Sequence, residues 1–92
     1  MASPEQQWLN SRAARCVKKA ESGDKAHPAG DYTRQGLEPY GGAWQFSVGT
    51  WVWLGFTGYP YLASPATQDR AAYDLWLRVG FRWWQTASGC GV

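Results

Sequence analysis

The dipeptide Ser-Pro occurs twice, at Ser3-Pro4 and Ser64-Pro65, and each time a helical apolar pattern follows. A serine that can accept from free N–H groups, next to a proline whose fixed φ suits the first turn, is a strong helix start. The two signals predict a helix over about 4–22, with Gln6 at N3 and Gly23 as a left-handed stop, and another over about 65–79, closed by Gly80. Leu9, Ala13, Cys16, Val17 and Ala20 recur at helical spacing in the first, while Arg15, Lys18 and Lys19 project from the opposite face. Ala72, Leu75, Trp76 and Val79 do the same in the second, and Phe81-Arg82-Trp83-Trp84 adds one more turn or a packed tail. Between them, His27-Pro28, Gly30-Asp31, Gly36 and Glu38-Pro39 break every period, so residues 25–39 read as a long loop with at most a short ribbon. Ser47 can cap a short helix over 48–54 that Gly55 ends, and no alternating strand pattern of useful length occurs. The expectation is one mainly α domain over 1–92, with three to four helices and long irregular connections.

Apolar residues make up 45% of the chain and seven of them are Trp, which is enough to pack one core and excludes a disordered chain. Nine basic and seven acidic residues leave a net charge of +2 without a Lys/Arg run longer than two, so nucleic acid is not expected as a partner. No apolar run approaches the roughly 20 residues of a membrane helix, so no membrane insertion is expected. His27 is the only histidine, with no nearby Cys or second His to share a metal, and reads as loop surface. Neither a metal nor a cofactor is expected. Cys16 and Cys90 allow two readings: buried thiols, or a bridge that would close nearly the whole chain and contribute about 4 kcal/mol.

Ala20-Glu21-Ser22-Gly23-Asp24 is where the first helix ends. Glu21 falls on the shoulder of the apolar stripe, where partial burial and the negative end of the helix dipole both raise its pKa, while Lys18 pulls the other way. Taken alone, a helical Glu beside a lysine is an ordinary surface residue. Further on, Tyr40-Gly41-Gly42-Ala43-Trp44-Gln45-Phe46 places two glycines, which allow close backbone approach, before a bulky-polar-bulky triplet. Thr57-Gly58-Tyr59-Pro60-Tyr61 is aromatic for a loop; such rings stack on sugars or bases, or fill cores.

Taken in order, these pieces resemble a known family. Cys16-x4-Glu21-Ser22-Gly23 is followed by Tyr40-x-Gly42-Ala43-Trp44-Gln45-Phe46-Ser47-x-x-Thr50-Trp51, then Gly58-Tyr59-Pro60, Ala63-Ser64-Pro65, Gln68, Gly80, Trp84 and Cys90. The ordered set, spanning about Trp8 to Cys90, is similar to the transglycosylase-like domain of the resuscitation-promoting factors, within the lysozyme and lytic transglycosylase superfamily. Val79-Gly80-Phe81 departs from the family's frequent Gln-Gly-Trp, and the loop over 25–39 is longer than in compact members.

The resemblance implies a small lysozyme-like helical fold that cuts the β-1,4 bond between N-acetylmuramic acid and N-acetylglucosamine in peptidoglycan. It implies Glu21 as the catalytic acid, with Gln45 and Thr50 orienting sugar or water. Tyr40 and Trp44 are the aromatics expected at the substrate, and Trp51 is expected in the core. It also implies a Cys16–Cys90 disulfide and, by association, a secreted or cell-envelope location; beside it, a monomer is expected, with a cell-wall hydrolase as the candidate protein partner. A hydrolase needs a second carboxylate, for which Asp24, Asp31 and Glu38 are the candidates, whereas a lytic transglycosylase needs Glu21 alone. The competing class is a non-catalytic peptidoglycan-binding or protein-interaction module on the same fold.

Overall fold

The structure is a computed structural model describing residues 2–37 and 40–92. Four α-helices form: α1 (Pro4–Asn10), α2 (Arg12–Ser22), α3 (Val48–Trp53) and α4 (Pro65–Val79). A two-stranded antiparallel ribbon pairs β1 (Tyr40–Gly41) with β2 (Phe46–Ser47), placing Tyr40 opposite Ser47. Short 3₁₀ segments cover Pro60–Leu62 and Gln85–Cys90. The mainly α expectation holds, with long irregular connections. Glu38 and Pro39, at the end of the expected loop, lie outside the described residues.

The first helix is two helices. Ser11 leaves the helical region at ψ 151° and serves both sides of the break: its hydroxyl donates to the Trp8 carbonyl at 2.6 Å and accepts from the Ala14 N–H at 3.3 Å. A serine that offers the backbone local partners competes with the continuing helix, and here it wins. The break resets the phase of the buried face, which is Trp8, Ala14, Val17 and Ser22, while Leu9 and Cys16 are only partly buried and Ala20 is exposed. Gly23 is not left-handed either, with φ −67° and ψ 138°. It is needed for space, since a Cβ there would lie 2.5 Å from the Lys19 carbonyl oxygen.

The other helix signals hold closely. Ser47 accepts from the Thr50 N–H and Ser64 from the Thr67 N–H, both at 3.1 Å, and Gly80 closes α4 at φ 67°. The ribbon lies just beyond the loop over 25–39 in which a short one was allowed, because two-residue strands are too short to show an alternation that would place them. Between its strands the chain turns through positive φ at Gly42 (81°) and Gln45 (51°). The preceding loop is tied to the ribbon by a bridge between Gln35 and Gly41 and by the Gly42 N–H donating to the Arg34 carbonyl at 2.8 Å.

The core is built of indoles. Trp8 stacks on Trp44 with centroids 5.4 Å apart, and Trp84 packs against Trp44 and Phe46. The polar edge of a buried indole needs an acceptor, and three of them have one: Trp44 donates to Asp69, Trp51 to the Thr57 carbonyl and Trp84 to the Trp44 carbonyl. Two polar side chains, Ser22 and Gln68, are as buried as the indoles, at 1% exposure each. Gln68 accepts from the Ala43 N–H and donates to the carbonyls of Tyr32 and Ala63, each at 2.9 Å. Ser22 donates to the Ala43 carbonyl and accepts from the Asp31 N–H, each at 2.7 Å.

A disulfide joins Cys16 of α2 to Cys90, so the bridge implied by the resemblance is present and the buried-thiol reading is set aside. Among the described residues no helix is long and apolar enough to cross a membrane.

Two stability predictions follow from these links. Replacing both cysteines by serine removes a cross-link of sequence separation 74, and by chain entropy should lower the unfolding free energy in urea by about 4 kcal/mol. Gln68→Met keeps the volume but strands one buried donor and two partly buried acceptors; it should cost about 2–4 kcal/mol in the same assay.

Candidate active-site cleft

The C-terminal end of α2, the loop before the ribbon, the ribbon turn and the segment after α4 surround an open cleft of about 710 Å³. Glu21, in the last turn of α2, lines it and is half-buried. Burial raises its pKa above the ordinary carboxylate value, outweighing the opposing pull of the Thr86 hydroxyl, which donates to Oε2. The helix C-terminus pushes in the same direction as burial.

Gln45 and Tyr40 also line the cleft. The Gln45 side chain is braced: Nε2 donates to the Gly42 carbonyl at 2.8 Å, and Gly36 lies so close to Oε1 that a Cβ there would collide with it. Tyr40 is half-exposed and borders both this cleft and a smaller pocket of about 230 Å³ shared with Tyr59, Pro60 and Tyr61. The aromatic loop over 57–61 therefore adjoins the cleft.

Two residues expected at the substrate are elsewhere. Trp44 is 1% exposed, and its N–H is engaged by Asp69, 3.0 Å away. The ribbon turn directs this indole into the core, with its neighbour Gln45 at the cleft wall. Thr50 does not line the cleft; its hydroxyl accepts from Ser47 in the first turn of α3. Trp51, expected in the core, is fully buried.

Arg34, Trp83 and Thr86 line the cleft without having been foreseen. Thr86 was within reach of an argument from the disulfide. Glu21 is five residues beyond Cys16 and Thr86 four before Cys90. At about 1.5 Å per α-helical and about 2.0 Å per 3₁₀ residue, both lie about 8 Å from the bridge, so antiparallel segments bring them together. The two distances match only because the segment ending at Cys90 is a 3₁₀ helix, which its sequence does not mark.

Of the candidate second acids, Asp24 and Asp31 do not line the cleft. His27 Nδ1 lies 3.1 Å from Asp24 and 3.5 Å from Asp31, so the three residues offer ligand atoms within 4.8 Å of one another. Three of the four carboxylate oxygens already accept hydrogen bonds from the protein. Arg34 holds the second Asp24 oxygen at 2.9 Å and is the main cause of that carboxyl's lowered pKa; Thr33 donates twice to Asp31 and lowers it likewise. Glu38 lies outside the described residues. Among the described residues Glu21 is the one carboxylate lining the cleft.

Behind the cleft, the Tyr32 hydroxyl donates to Asp69 and receives Lys18 Nζ at 3.1 Å. Burial, with Asp69 beside it, pushes the Tyr32 phenol pKa upward. Lys18 is thereby held at Tyr32, over the Tyr32 and Trp44 rings.

No protein-family model and no curated protein matches this chain.

The Glu21 environment has a pH signature. Because its folded pKa lies above the unfolded value, its contribution favours the native state at low pH and is lost as pH rises through the folded pKa. Glu21→Gln avoids that loss, so it should melt higher than wild type near neutral pH. The difference should close as pH falls below about 4, as followed by thermal melts across that range.

Proposed function

We propose that this chain cleaves the β-1,4 glycosidic bond of peptidoglycan, with Glu21 as proton donor. The observation that carries the reading is a half-buried carboxyl of raised pKa in an open cleft, flanked by the braced Gln45 amide and the Tyr40 ring. The ordered motif set from Trp8 to Cys90 supports the same reading, and the same resemblance proposes a lysozyme-like helical architecture.

Protonated Glu21 gives its proton to the glycosidic oxygen as the C1–O bond breaks toward an oxocarbenium-like state. The leaving sugar departs as an alcohol and Glu21 becomes a carboxylate. The Thr86 hydroxyl already donates to that carboxyl and stabilises the new anion at the moment it forms. The carboxylate then takes the proton of the muramyl C6 hydroxyl while that oxygen closes on C1, giving a 1,6-anhydro product and restoring the acid. This cycle uses one carboxylate, in keeping with Glu21 standing alone on the cleft wall among the described residues, and lytic transglycosylation is the reading favoured here. The Tyr40 ring offers a face to a sugar, and the amides of Gln45 and Gln85 offer hydrogen bonds to its substituents. The Cys16–Cys90 bridge fits an oxidising compartment, as a secreted or envelope enzyme requires.

The reading is tested by incubating wild type and Glu21→Gln with purified peptidoglycan and weighing the released muropeptides. Anhydro-muramyl products are expected from wild type, with release falling by about 10²–10⁴-fold in the variant. Reducing-end products would instead assign a hydrolase and direct the search for a second acid to Glu38. Retained binding without release would assign a non-catalytic module.

A further inference from the structure

Five of the seven tryptophans are buried or partly buried in the core, and two are not: Trp53 is 51% and Trp83 48% exposed. Those two lie together, ring centroids 5.2 Å apart and tilted by 40°, and the Arg78 guanidinium sits 4.8 Å from the Trp53 ring centre. The local structure explains why both face outward. Trp53 is two residues after the fully buried Trp51 on α3, about 200° around the helix, so burying one exposes the other. Trp83 precedes Trp84, whose buried indole donates to the Trp44 carbonyl and pins the chain at the cleft rim. Trp83 itself lines the Glu21 cleft.

We infer that the Trp53–Trp83 pair is a sugar-stacking subsite that continues the Glu21 cleft across the surface and takes a pyranose ring of the same glycan strand, beyond the bond that is cut. This rests on the glycan-cleaving reading above. Three observations select the ligand. The pair is continuous with the cleft through Trp83, so a strand leaving the cleft on that side passes over it. An indole face matches the apolar C–H face of a pyranose; Arg78, over one face of Trp53, leaves the exposed remainder of the pair to the sugar and supplies donors for ring substituents at its edge. Two half-exposed indoles offer on the order of 200 Å² of contact, far short of the ~800 Å² per partner that a stable protein interface buries. The site takes a β-1,4-linked N-acetylhexosamine and adds affinity for long strands over short ones.

The test uses the Glu21→Gln protein, so that ligand is not consumed, and N-acetylglucosamine oligomers of increasing length as probes in calorimetric titrations. Short oligomers that fill only the cleft should bind equally with and without Trp53→Ala. Long oligomers should bind more tightly to the parent, and Trp53→Ala should lose about 5- to 150-fold of that affinity, the scale of one aromatic stacking contact. Trp53→Phe should retain part of the gain. In the parent, the Trp53 indole N–H resonance should shift with long oligomers and not with short ones, whereas that of Trp83, which lines the cleft, should shift with both; this readout does not require the variant to fold. Length-dependent binding that is unchanged in Trp53→Ala, with silent Trp53 resonances, would overturn the subsite and leave the cleft reading standing. Absence of binding to any oligomer would overturn both.

Discussion

Ala43 carries no functional group, yet its backbone is the point on which the site depends. Its N–H goes to Gln68 of α4 and its carbonyl to Ser22 of α2, both fully buried. A peptide group drawn into the core at the ribbon turn would leave a donor and an acceptor unpaired, each costing about 1–3 kcal/mol. Two polar side chains on different helices remove both costs at once. The clamp fixes the turn against α2 and α4 together, and it requires Gly42, since a Cβ there would lie 2.4 Å from the Gln68 amide oxygen. The same two side chains also hold the preceding loop, Gln68 through the Tyr32 carbonyl and Ser22 through the Asp31 N–H. Two walls of the cleft thus share one set of buried hydrogen bonds, and the residue after Glu21 provides half of it.

The remaining wall comes from the other end of the chain. Ten kilodaltons of protein bury too little surface to hold an irregular C-terminal segment by packing alone. The Cys16–Cys90 bridge does so covalently, and its position matters as much as its existence. It crosses from the middle of α2 to the end of the last 3₁₀ helix, leaving Thr86 beside Glu21 and Trp84 in the core. The same anchoring places Trp83 at the rim.

How much of this was legible in the sequence follows from the range of each interaction. Ser47 and Ser64 act on N–H groups three residues away, and Gly80 acts on its own φ, so those helix ends could be read locally. Ser11 uses equally local bonds but sits inside a continuous helical pattern, where a cap and an interior serine look alike until the backbone is seen to turn. For Glu21 the two influences that raise its pKa, the apolar shoulder and the helix end, are legible in α2, but the balance against Lys18 is not, because the burial that decides it comes from the distant segment carrying Thr86. Trp44 and Gln45 were read as a pair facing substrate. Their separation depends on the positive φ at Gln45, which is uncommon for a residue with a side chain and leaves no mark in the sequence. Thr86 and Arg34 reach the cleft through contacts between distant segments, beyond the reach of periodicity.

A half-buried acid of raised pKa is a cost to the fold, since burial disfavours its charged form. The arrangement around Glu21 limits that cost without abolishing it. One donor, the Thr86 hydroxyl, meets the carboxyl, while Arg34, which also lines the cleft, is engaged by Asp24, and Lys18, one turn back on α2, by Tyr32. Had either cation paired with Glu21, the carboxylate would be stabilised before reaction and the pKa drawn down instead of up. The Asp24 carboxylate, which does not itself line the cleft, therefore shapes the acid's chemistry at one remove: by engaging Arg34 it keeps that charge from Glu21. The loop over 25–37 is in this sense part of the site's electrostatics even where it touches nothing in the cleft.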